Sequence, residues 1–256
     1  MIDMHSHILF GVDDGPKDFD EAIKLLEQAT REGITTIIAT SHIKHPLYSV
    51  DYEVVKEQVE CLQETVEERK LPLNLYTGHE VRLTENMLEL YEMKQIHTLA
   101  NSKYLLVELP NNMIPFYTKK LIVSLVGAGI TPIIAHPERN RAIIENPKRL
   151  EILVREGALS QITAGSLTGQ FGRKIQHFSM ELVRSNLVHT YGSDVHNLST
   201  RPFLFNQGLK ILEKHKEFEA VDYLLGNNEK IVRNERIIPY EPEDIIPKKW
   251  RRIFKN

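Results

Sequence analysis

The sequence has a single cysteine, Cys61, and no long apolar run. One thiol excludes an internal disulfide framework, a thiolate zinc cluster and a CxxC redox pair. No stretch approaches the roughly 18 apolar residues that a membrane-spanning helix needs. The first ten residues, MIDMHSHILF, lack the basic and apolar segments of a signal peptide. We therefore expect a cytoplasmic protein without a membrane span.

An excess of positive charge is missing as well. Lys and Arg number 32 against 35 Asp and Glu, and the net charge is -3. This balance argues against a nucleic-acid partner and against a nuclease-like phosphodiesterase, because nucleic-acid binders are usually basic. The hydrophobic fraction of 41% is typical of a globular chain with a real core. At 256 residues the length suits one α/β barrel, so residues 1–256 are expected to form a single domain.

Seven short apolar runs, each bounded by Gly, Pro, Asn or charged residues, alternate with amphipathic segments. Runs of this kind are typical of buried parallel strands joined by right-handed crossovers. Seven such units fit a barrel better than an open sheet, although the pattern alone leaves both possible. The predicted strands are Ile2–Met4, Ile34–Ala39, Leu73–Tyr76, Tyr104–Val107, Thr131–Ala135, Leu159–Thr163 and Val188–Tyr191.

The amphipathic segments between the runs predict helices. Gly33 and Gly157 each stand between a helical segment and a strand, where a helix C-terminal glycine belongs. Gly165–Gly172 is expected to form a mobile loop after the sixth strand, and Pro247–Asn256 is basic. The predicted helices are Ala22–Arg31, Tyr52–Arg69, Leu121–Val126, Leu150–Arg155 and Met180–Ser185.

Metal-capable side chains follow six of the seven predicted strands. The carboxyl ends of parallel strands meet at one rim of a barrel, so these side chains are expected to converge there. In the pattern His-x-His both imidazoles point to the same face of a strand, because side chains alternate with a period of two. The candidate ligands are His5, His7, Asp14, His42, Glu80, Glu108, His136, Asp194 and His196.

The chemistry of this donor set points to a metal cluster. Imidazole and carboxylate without thiolate suit zinc, manganese or iron. Nine ligands exceed the needs of one tetrahedral ion, which indicates two or three ions sharing a carboxylate. Such a cluster is suited to phosphate ester hydrolysis, since paired ions generate hydroxide at neutral pH and neutralise phosphate oxygens.

Two arginines are expected in the loops at the same rim. Arg139 lies in the string HPER, and Arg201 follows in SDVHNLSTRP. A planar guanidinium can bind two phosphate oxygens and stabilise the charge that develops in the transition state. The alternative is that either arginine is a surface residue paired with Glu138 or Glu145.

The remaining candidates are weaker. A cysteine phosphatase needs Arg six positions after its nucleophile, and the residue six positions after Cys61 is Glu67. Cys61 is therefore expected to be a small buried residue in a helix. The other histidines fit no converging set and are expected to be structural or solvated: His45, His79, His97, His177, His189 and His215.

Several strings together resemble a known family. They are HSHILFGVDDGP, TSHIKHP, AHPERN and GSDVHNLSTRP, beginning at His5, Thr40, Ala135 and Gly192, together with strand ends at Glu80 and Glu108. In this order they resemble the polymerase-and-histidinol-phosphatase (PHP) superfamily, and more narrowly the bacterial manganese-dependent protein-tyrosine phosphatases of the CpsB/CapC type. The resemblance covers nearly the whole chain.

The resemblance implies a distorted (β/α)7 barrel of the PHP type with a trinuclear site at its carboxyl-terminal rim. Carried over to this chain, the first ion would be held by His5, His7, Glu80 and Asp194. The second would be held by Glu80, Glu108 and His136, and the third by Asp14, His42 and His196. Carboxylates at the positions of Asp14 and Glu108 agree with the tyrosine-phosphatase branch and favour Mn²⁺, with Zn²⁺ or Fe as alternatives.

The resemblance also implies a substrate, because family members act on autophosphorylated tyrosine kinases that control capsule or exopolysaccharide synthesis. The expected mechanism is in-line attack on phosphorus by hydroxide made at the metal site, with Arg139 and Arg201 on the phosphate oxygens. His42, or Asp194 through a water, would assist departure of the phenolate.

Two other functions stay open at this point. One is a small-molecule phosphatase such as a histidinol-phosphate phosphatase, and the other is a non-catalytic, metal-stabilised scaffold that binds a kinase. An exposed aromatic rim near Phe116 and Tyr117 would favour a phosphotyrosine peptide over a small metabolite.

Overall fold

The computed structural model describes residues 1–243 and residue 245, so the basic segment Pro247–Asn256 lies outside the described residues. Seven parallel strands pair in chain order. They are β1 (Ile2–Ser6), β2 (Thr36–Ile43), β3 (Asn74–Arg82), β4 (Tyr104–Glu108), β5 (Thr131–Ala135), β6 (Leu159–Thr163) and β7 (Thr190–Gly192).

The sheet curves until its first and last strands meet. The Asp194 N–H donates to the His5 carbonyl at 2.9 Å, and the His7 N–H donates to the Val195 carbonyl at 2.9 Å. The Ser193 side chain also donates to the Asp3 carboxylate at 2.5 Å. These bonds bring the residues after β7 against β1 and make a nearly closed barrel. The predicted α/β barrel is confirmed.

Helices cover the outside of the barrel between successive strands. They are α1 (Phe19–Arg31), α2 (Tyr52–Glu68), α3 (Met87–Glu92), α4 (Thr118–Gly127), α5 (Arg141–Glu145), α6 (Lys148–Arg155), α7 (Ala164–Thr168), α8 (Arg173–Arg184), α9 (Phe205–Lys214) and α10 (Phe218–Val232). Gly33 after α1 and Gly157 after α6 have φ of 75° and 101°, the left-handed conformation that suits glycine. Within the described residues, no helix combines the length and the apolar character needed to cross a membrane.

The barrel interior continues directly into the candidate site. Ile38 and Leu106 belong to a buried apolar cluster distinct from the larger one under the helices. His42 lies four positions after Ile38 on β2, and Glu108 lies two positions after Leu106 on β4. Because strand side chains alternate, each polar residue continues the inward row of its strand. The core therefore aims these side chains at the carboxyl-terminal opening.

Strands β2 and β3 are longer than predicted. They pair residue by residue from Thr36 and Asn74 up to Ile43 and Val81, whereas the predicted strands ended at Ala39 and Tyr76. Backbone pairing continues through the polar residues of this extension. The Thr40 hydroxyl accepts from the Ser6 N–H at 3.0 Å. The extension places His42 directly opposite Glu80.

The prediction of a mobile loop over Gly165–Gly172 is wrong for its first half. Helix α7 begins after Thr163, whose hydroxyl accepts from the Ser166 N–H, and ends at Gly169 with φ of 86°. A Cβ on Gly165 would lie 3.0 Å from the ring of Phe171. Glycine at this position lets the segment after the helix fold back closely against it.

The prediction that Cys61 is buried is also wrong, since Cys61 is exposed. The buried stripe of α2 consists of Val55, Val59, Leu62 and Val66. Successive helical residues are about 100° apart around the axis, so Cys61 lies beside this stripe and faces solvent.

Candidate metal centre and phosphate site

All nine predicted ligands lie together at the carboxyl-terminal end of the barrel. Their ligand-capable atoms form three overlapping groups, and within each group these atoms lie within 4.8 Å of one another. The groups are His7, Asp14, His42 and His196; His5, His7 and Glu80; and Glu80, Glu108 and His136. They follow the predicted ligand sets closely, with His7 joining a second group. Asp194 borders them through contacts described below.

Glu80 links the groups through its two oxygens. Oε1 lies 2.8 Å from His136 Nε2. Oε2 lies 3.5 Å from His5 Nε2, 3.3 Å from His7 Nε2 and 3.1 Å from His42 Nδ1. Each oxygen therefore faces a different set of imidazoles, which is the arrangement that a bridging carboxylate requires.

Asp194 divides its oxygens between the imidazoles and the arginines. Oδ1 lies 3.4 Å from His5 Nε2 and 3.7 Å from His7 Nε2. Oδ2 accepts hydrogen bonds from Arg139 Nη2 at 2.6 Å and from Arg201 Nη2 at 2.7 Å. Asp194 thus joins the ligand groups to the phosphate-binding candidates.

Asp14 stands on the open side of the cluster. Its Oδ1 lies 3.4 Å from His42 Nε2 and 3.2 Å from His196 Nε2. The Asp14 side chain is 33% exposed, whereas that of His196 is 2% exposed. The third predicted ligand set therefore comes together at the side nearest to solvent.

The donor set fits divalent metal ions. Among the described residues, buried side-chain atoms without a hydrogen-bond partner include His5 Nε2, His7 Nε2, Asp14 Oδ1, His42 Nδ1, Asp194 Oδ1 and His196 Nε2. Buried polar atoms are normally paired, so such a concentration of unpaired atoms needs an explanation. Ligands at about 2.0–2.2 Å from one ion lie about 3.0–3.5 Å apart. Many of the nitrogen–oxygen separations here are of this size. Nitrogen and oxygen donors without thiolate are the set expected for Mn, Zn or Fe.

Two orienting residues were not identified from the sequence. His7 Nδ1 lies 3.0 Å from Oδ2 of the buried Asp13, and His5 Nδ1 lies 3.1 Å from Gln161 Oε1. Each contact turns the Nε2 atom of the imidazole towards the cluster, as partners of metal-ligating histidines commonly do. The first acidic residue in VDDG, Asp13, and the amide residue Gln161 inside the apolar run of β6 are the signals that point to them.

Burial keeps several of the imidazoles neutral. It lowers the pKa of His42, His136 and His196 to about 4 each. Neutral imidazole is the form that binds a metal ion. Burial, followed by the negative charge of Glu80, raises the pKa of Glu108 to about 7, even though Glu108 contacts Arg82 at 3.0 Å.

Both predicted arginines, Arg139 and Arg201, lie beside the metal-ligand groups and bind Asp194. Burial raises the pKa of Asp194, but the charges of Arg201 and Arg139 outweigh this effect and hold it well below its ordinary value. The alternative of surface pairing is wrong for Arg139, because Glu145 pairs with Arg141 and Arg139 pairs with Asp194.

An aromatic contact that the sequence pattern does not reveal supports Arg139. The guanidinium carbon lies 4.8 Å from the centre of the Phe171 ring. This cation–π contact packs one face of the guanidinium. Phe171 lies in the Gly165–Gly172 segment, just beyond α7, so this segment reaches the rim as expected.

Two site residues have left-handed backbone conformations. His136 has φ of 34° and Asp194 has φ of 55°. Such conformations cost of order 1–3 kcal/mol each for residues other than glycine and are concentrated at functional sites. They bend the chain where β5 and β7 end and turn both side chains towards the cluster.

The cluster opens into a cavity of about 440 Å³. We call its buried lining, with Glu80 and Asp194 beside Arg139 and Arg201, the floor. We call its more exposed lining, with His45, Leu47 and Tyr48, the mouth. Phe116 and Tyr117, whose exposure was to separate a peptide substrate from a small metabolite, lie outside this cavity. Those two rings pack edge to face on each other at 5.7 Å, and Phe116 is 94% exposed.

The other histidines lie apart from the three groups, with His45 at the cavity mouth. His79 is buried and accepts from the His97 N–H at 3.2 Å. His189 is buried and accepts from the Ser160 N–H at 3.1 Å. His177 and His215 each contact a carbonyl one helical turn earlier. These contacts agree with structural roles.

The fold and the site define a metal-dependent hydrolase built on an α/β barrel. Residues 1–233 match the family described as "Capsular polysaccharide synthesis, CpsB/CapC". The chain belongs to this family, which confirms the resemblance drawn from the motifs.

Its similarity to individual members extends over the whole fold. CapC of Staphylococcus aureus is 45% identical over 251 residues, covering 98% of each chain. The tyrosine-protein phosphatase YwqE of Bacillus subtilis is 40% identical over 254 residues, covering 99% of each chain. A solved structure from work on YwqE of Bacillus subtilis and CpsB of Streptococcus pneumoniae, described as unique metal-dependent tyrosine phosphatases, superimposes with a TM-score of 0.93. It is 39% identical and covers 96% of this chain and 100% of its own.

Proposed function

We propose that this protein is a metal-dependent protein-tyrosine phosphatase that hydrolyses phosphotyrosine in proteins. The observation that carries the proposal is the junction at Asp194. One of its oxygens faces the imidazoles of the metal-ligand groups, and the other binds Arg139 and Arg201 beside an open cavity. A phosphate group placed there would meet metal ions and guanidinium groups at the same time. Relatives of this chain are named tyrosine-protein phosphatases.

The proposed cofactor is Mn²⁺, in two or three ions, with Zn²⁺ or Fe as alternatives. Oxygen donors favour hard ions, and both Asp14 and Glu108 supply carboxylates. The proposed sets are His5, His7, Glu80 and Asp194 for one ion, Glu80, Glu108 and His136 for a second, and Asp14, His42 and His196 for a third. Glu80 serves two of these sets, so its removal should affect more than one ion.

The bound ions would supply a hydroxide nucleophile at neutral pH and neutralise phosphate charge. The chain itself contributes Arg139 and Arg201. Each guanidinium binds Asp194 through one terminal nitrogen, and Arg201 Nε is buried without a hydrogen-bond partner in the described chain. The remaining N–H groups of the two arginines would bind the phosphate oxygens and stabilise charge in the transition state.

Departure of the tyrosine oxygen needs little help from an acid, because phenolate is a fairly good leaving group. Asp194 is a poor proton donor here, since Arg201 and Arg139 overcome burial and keep its pKa well below the ordinary value. His42 also lines the cavity, but burial lowers its pKa to about 4, so at neutral pH it would help only by orienting a water.

The proposed substrate is an autophosphorylated bacterial tyrosine kinase that controls capsule or exopolysaccharide synthesis, reached in the cytoplasm. The family description, which refers to capsular polysaccharide synthesis, supports this choice. A substrate on a protein surface also suits a cavity that opens to solvent at Leu47, which is 77% exposed.

The test is an assay of the purified protein on a phosphotyrosine peptide, a phosphoserine peptide and histidinol phosphate. Chelation should abolish activity, and added Mn²⁺ should restore it on the phosphotyrosine peptide. A preference for histidinol phosphate would identify a small-molecule phosphatase instead. Kinase binding without turnover of any substrate would identify a scaffold.

A further inference from the structure

Three aromatic rings lie together, one of them in the metal-ligand cluster and two at the cavity mouth. The ring centre of His42 lies 4.7 Å from that of His45 and 6.0 Å from that of Tyr48. The rings of His45 and Tyr48 lie 5.6 Å apart, and the three interplanar angles are 22°, 9° and 15°. The rings are thus nearly parallel. The innermost is a candidate ligand, and the other two line the cavity.

The loop that carries the outer two rings is held in place by hydrogen bonds. The Val50 N–H donates to the His42 carbonyl at 2.9 Å and closes the loop at its base. Inside the loop, the Lys44 N–H donates to the Ser49 hydroxyl, and the Leu47 N–H donates to His45 Nδ1, each at 3.3 Å. A ring surface held in this way loses little conformational freedom when a ligand packs on it.

The position of Tyr48 is not explained by the hydrophobic core. Tyr48 is half-buried, and among the described residues it belongs neither to the two apolar clusters nor to the side chains packed against them. Its ring contacts are with His42 and His45. An amphipathic ring placed at a cavity mouth and not packed into the core is available to a ligand.

The lining of the cavity changes from charged at the floor to apolar and aromatic at the mouth. Its floor carries the charges of Glu80, Asp194 and Arg139, whereas its mouth adds Leu47 and Tyr48. A phosphate ester bound at the floor must project its organic group towards the mouth. We propose that His45 and Tyr48 form an aryl-binding wall, which makes this site selective for aryl phosphates over alkyl phosphates. This inference rests on the proposed function and names the residues that recognise the tyrosine ring.

The test uses Tyr48 because its ring lies farther from that of His42 (6.0 Å) than the ring of His45 does (4.7 Å). The variants are Tyr48→Ala, Tyr48→Leu and Tyr48→Phe, and the control is Tyr76→Ala. Tyr76 is a 38% exposed tyrosine near the opposite end of β3 from Glu80. Each variant is checked for folding by circular dichroism and for Mn content by elemental analysis.

The first readout is kcat/KM on phosphotyrosine and phosphoserine peptides of the same sequence. The second is inhibition by phenylphosphonate and by methylphosphonate, which needs no turnover of an alkyl ester. An aromatic pair contributes about 0.5–1.5 kcal/mol, so Tyr48→Ala and Tyr48→Leu should weaken aryl binding about two- to thirteenfold. The loss should fall on KM and on phenylphosphonate, while methylphosphonate inhibition and Mn content stay unchanged. Tyr48→Phe and Tyr76→Ala should resemble wild type.

The aryl wall would be overturned if the affinities for aryl and alkyl ligands fell equally. It would also be overturned if neither Tyr48→Ala nor Tyr48→Leu weakened aryl binding. These outcomes are distinct from failure of the proposed function. That failure would appear as a wild-type enzyme that does not hydrolyse the phosphotyrosine peptide under any metal condition. If this protein then hydrolyses another phosphate ester, inhibition of that reaction by phenylphosphonate would still test the aryl wall.

Discussion

Arg139 and Arg201, from loops that follow different strands, donate to the same oxygen atom, Oδ2 of Asp194, at 2.6 and 2.7 Å. One buried carboxylate therefore holds two guanidinium groups side by side and offers its other oxygen to the metal-ligand groups. A substrate phosphate would meet this pair already assembled, which avoids reorganisation during the reaction.

The first prediction concerns Arg139. Arg139→Ala should leave the metal ions bound and lower kcat about 10²- to 10³-fold, because a donor aimed at developing charge is removed. The matched control is Arg69→Ala, since Arg69 is a half-exposed residue paired with Glu27. Steady-state kinetics with Mn²⁺ present and elemental analysis provide the measurement. An unchanged kcat would show that Arg139 does not stabilise the transition state.

The second prediction concerns the support of that arginine by Phe171. Phe171→Ala should lower kcat about two- to thirtyfold, since cation–π contacts are worth roughly 0.5–2 kcal/mol. Phe171→Tyr keeps an aromatic face and should retain most of the rate. Equal rates for the alanine and tyrosine variants would show that the ring does not position Arg139.

Much of this site could be predicted from the sequence, because a parallel barrel brings all strand ends to one rim. Residue type and position then suffice to select ligands such as Glu80 and His136. The supporting residues could not be selected in this way. Gln161 and Phe171 act through contacts between distant segments, and neither residue type by itself indicates a partner.

The predicted end of β2 and the predicted burial of Cys61 were wrong for local physical reasons. Strand β2 runs past its apolar part to Ile43 because the barrel satisfies the hydrogen bonds of Thr40. Cys61 was assigned to the wrong side of α2, since one step along a helix turns the side chain by about 100°. Periodicity finds a helix more reliably than it finds the edge of the buried face.

The third prediction follows from the exposure of Cys61. Cys61→Ser should keep near-wild-type activity and change the free energy of unfolding by less than about 0.5 kcal/mol, as is usual at exposed positions. Alkylation of Cys61 in the folded enzyme should also leave kcat unchanged. A folded but inactive Cys61→Ser variant would indicate a thiolate nucleophile.

The fourth prediction concerns pH and His189, which lies outside the ligand groups. Burial lowers the pKa of His189 from 6.5 to about 4. The unfolded chain therefore binds more protons between these values, and stability is lost as the pH falls from about 6.5 towards 4. Between pH 7 and pH 5 the expected loss from this residue is roughly 2 kcal/mol.

Urea unfolding of wild type and His189→Gln at both pH values measures this contribution. The variant lacks the imidazole, so its free energy of unfolding should decrease less than that of wild type on acidification, by the same roughly 2 kcal/mol. Parallel pH profiles for the two proteins would contradict the assignment of a buried neutral His189.

The central claim is that a metal cluster organised around Glu80 makes the active site, and Glu80→Gln tests it most directly. Metal content by elemental analysis and kcat on a phosphotyrosine peptide are measured together, with Glu145→Gln as an exposed control. The account predicts that Glu80→Gln stays folded, loses bound metal and loses turnover, while the control keeps both. A Glu80→Gln enzyme with wild-type metal content and wild-type kcat would contradict it.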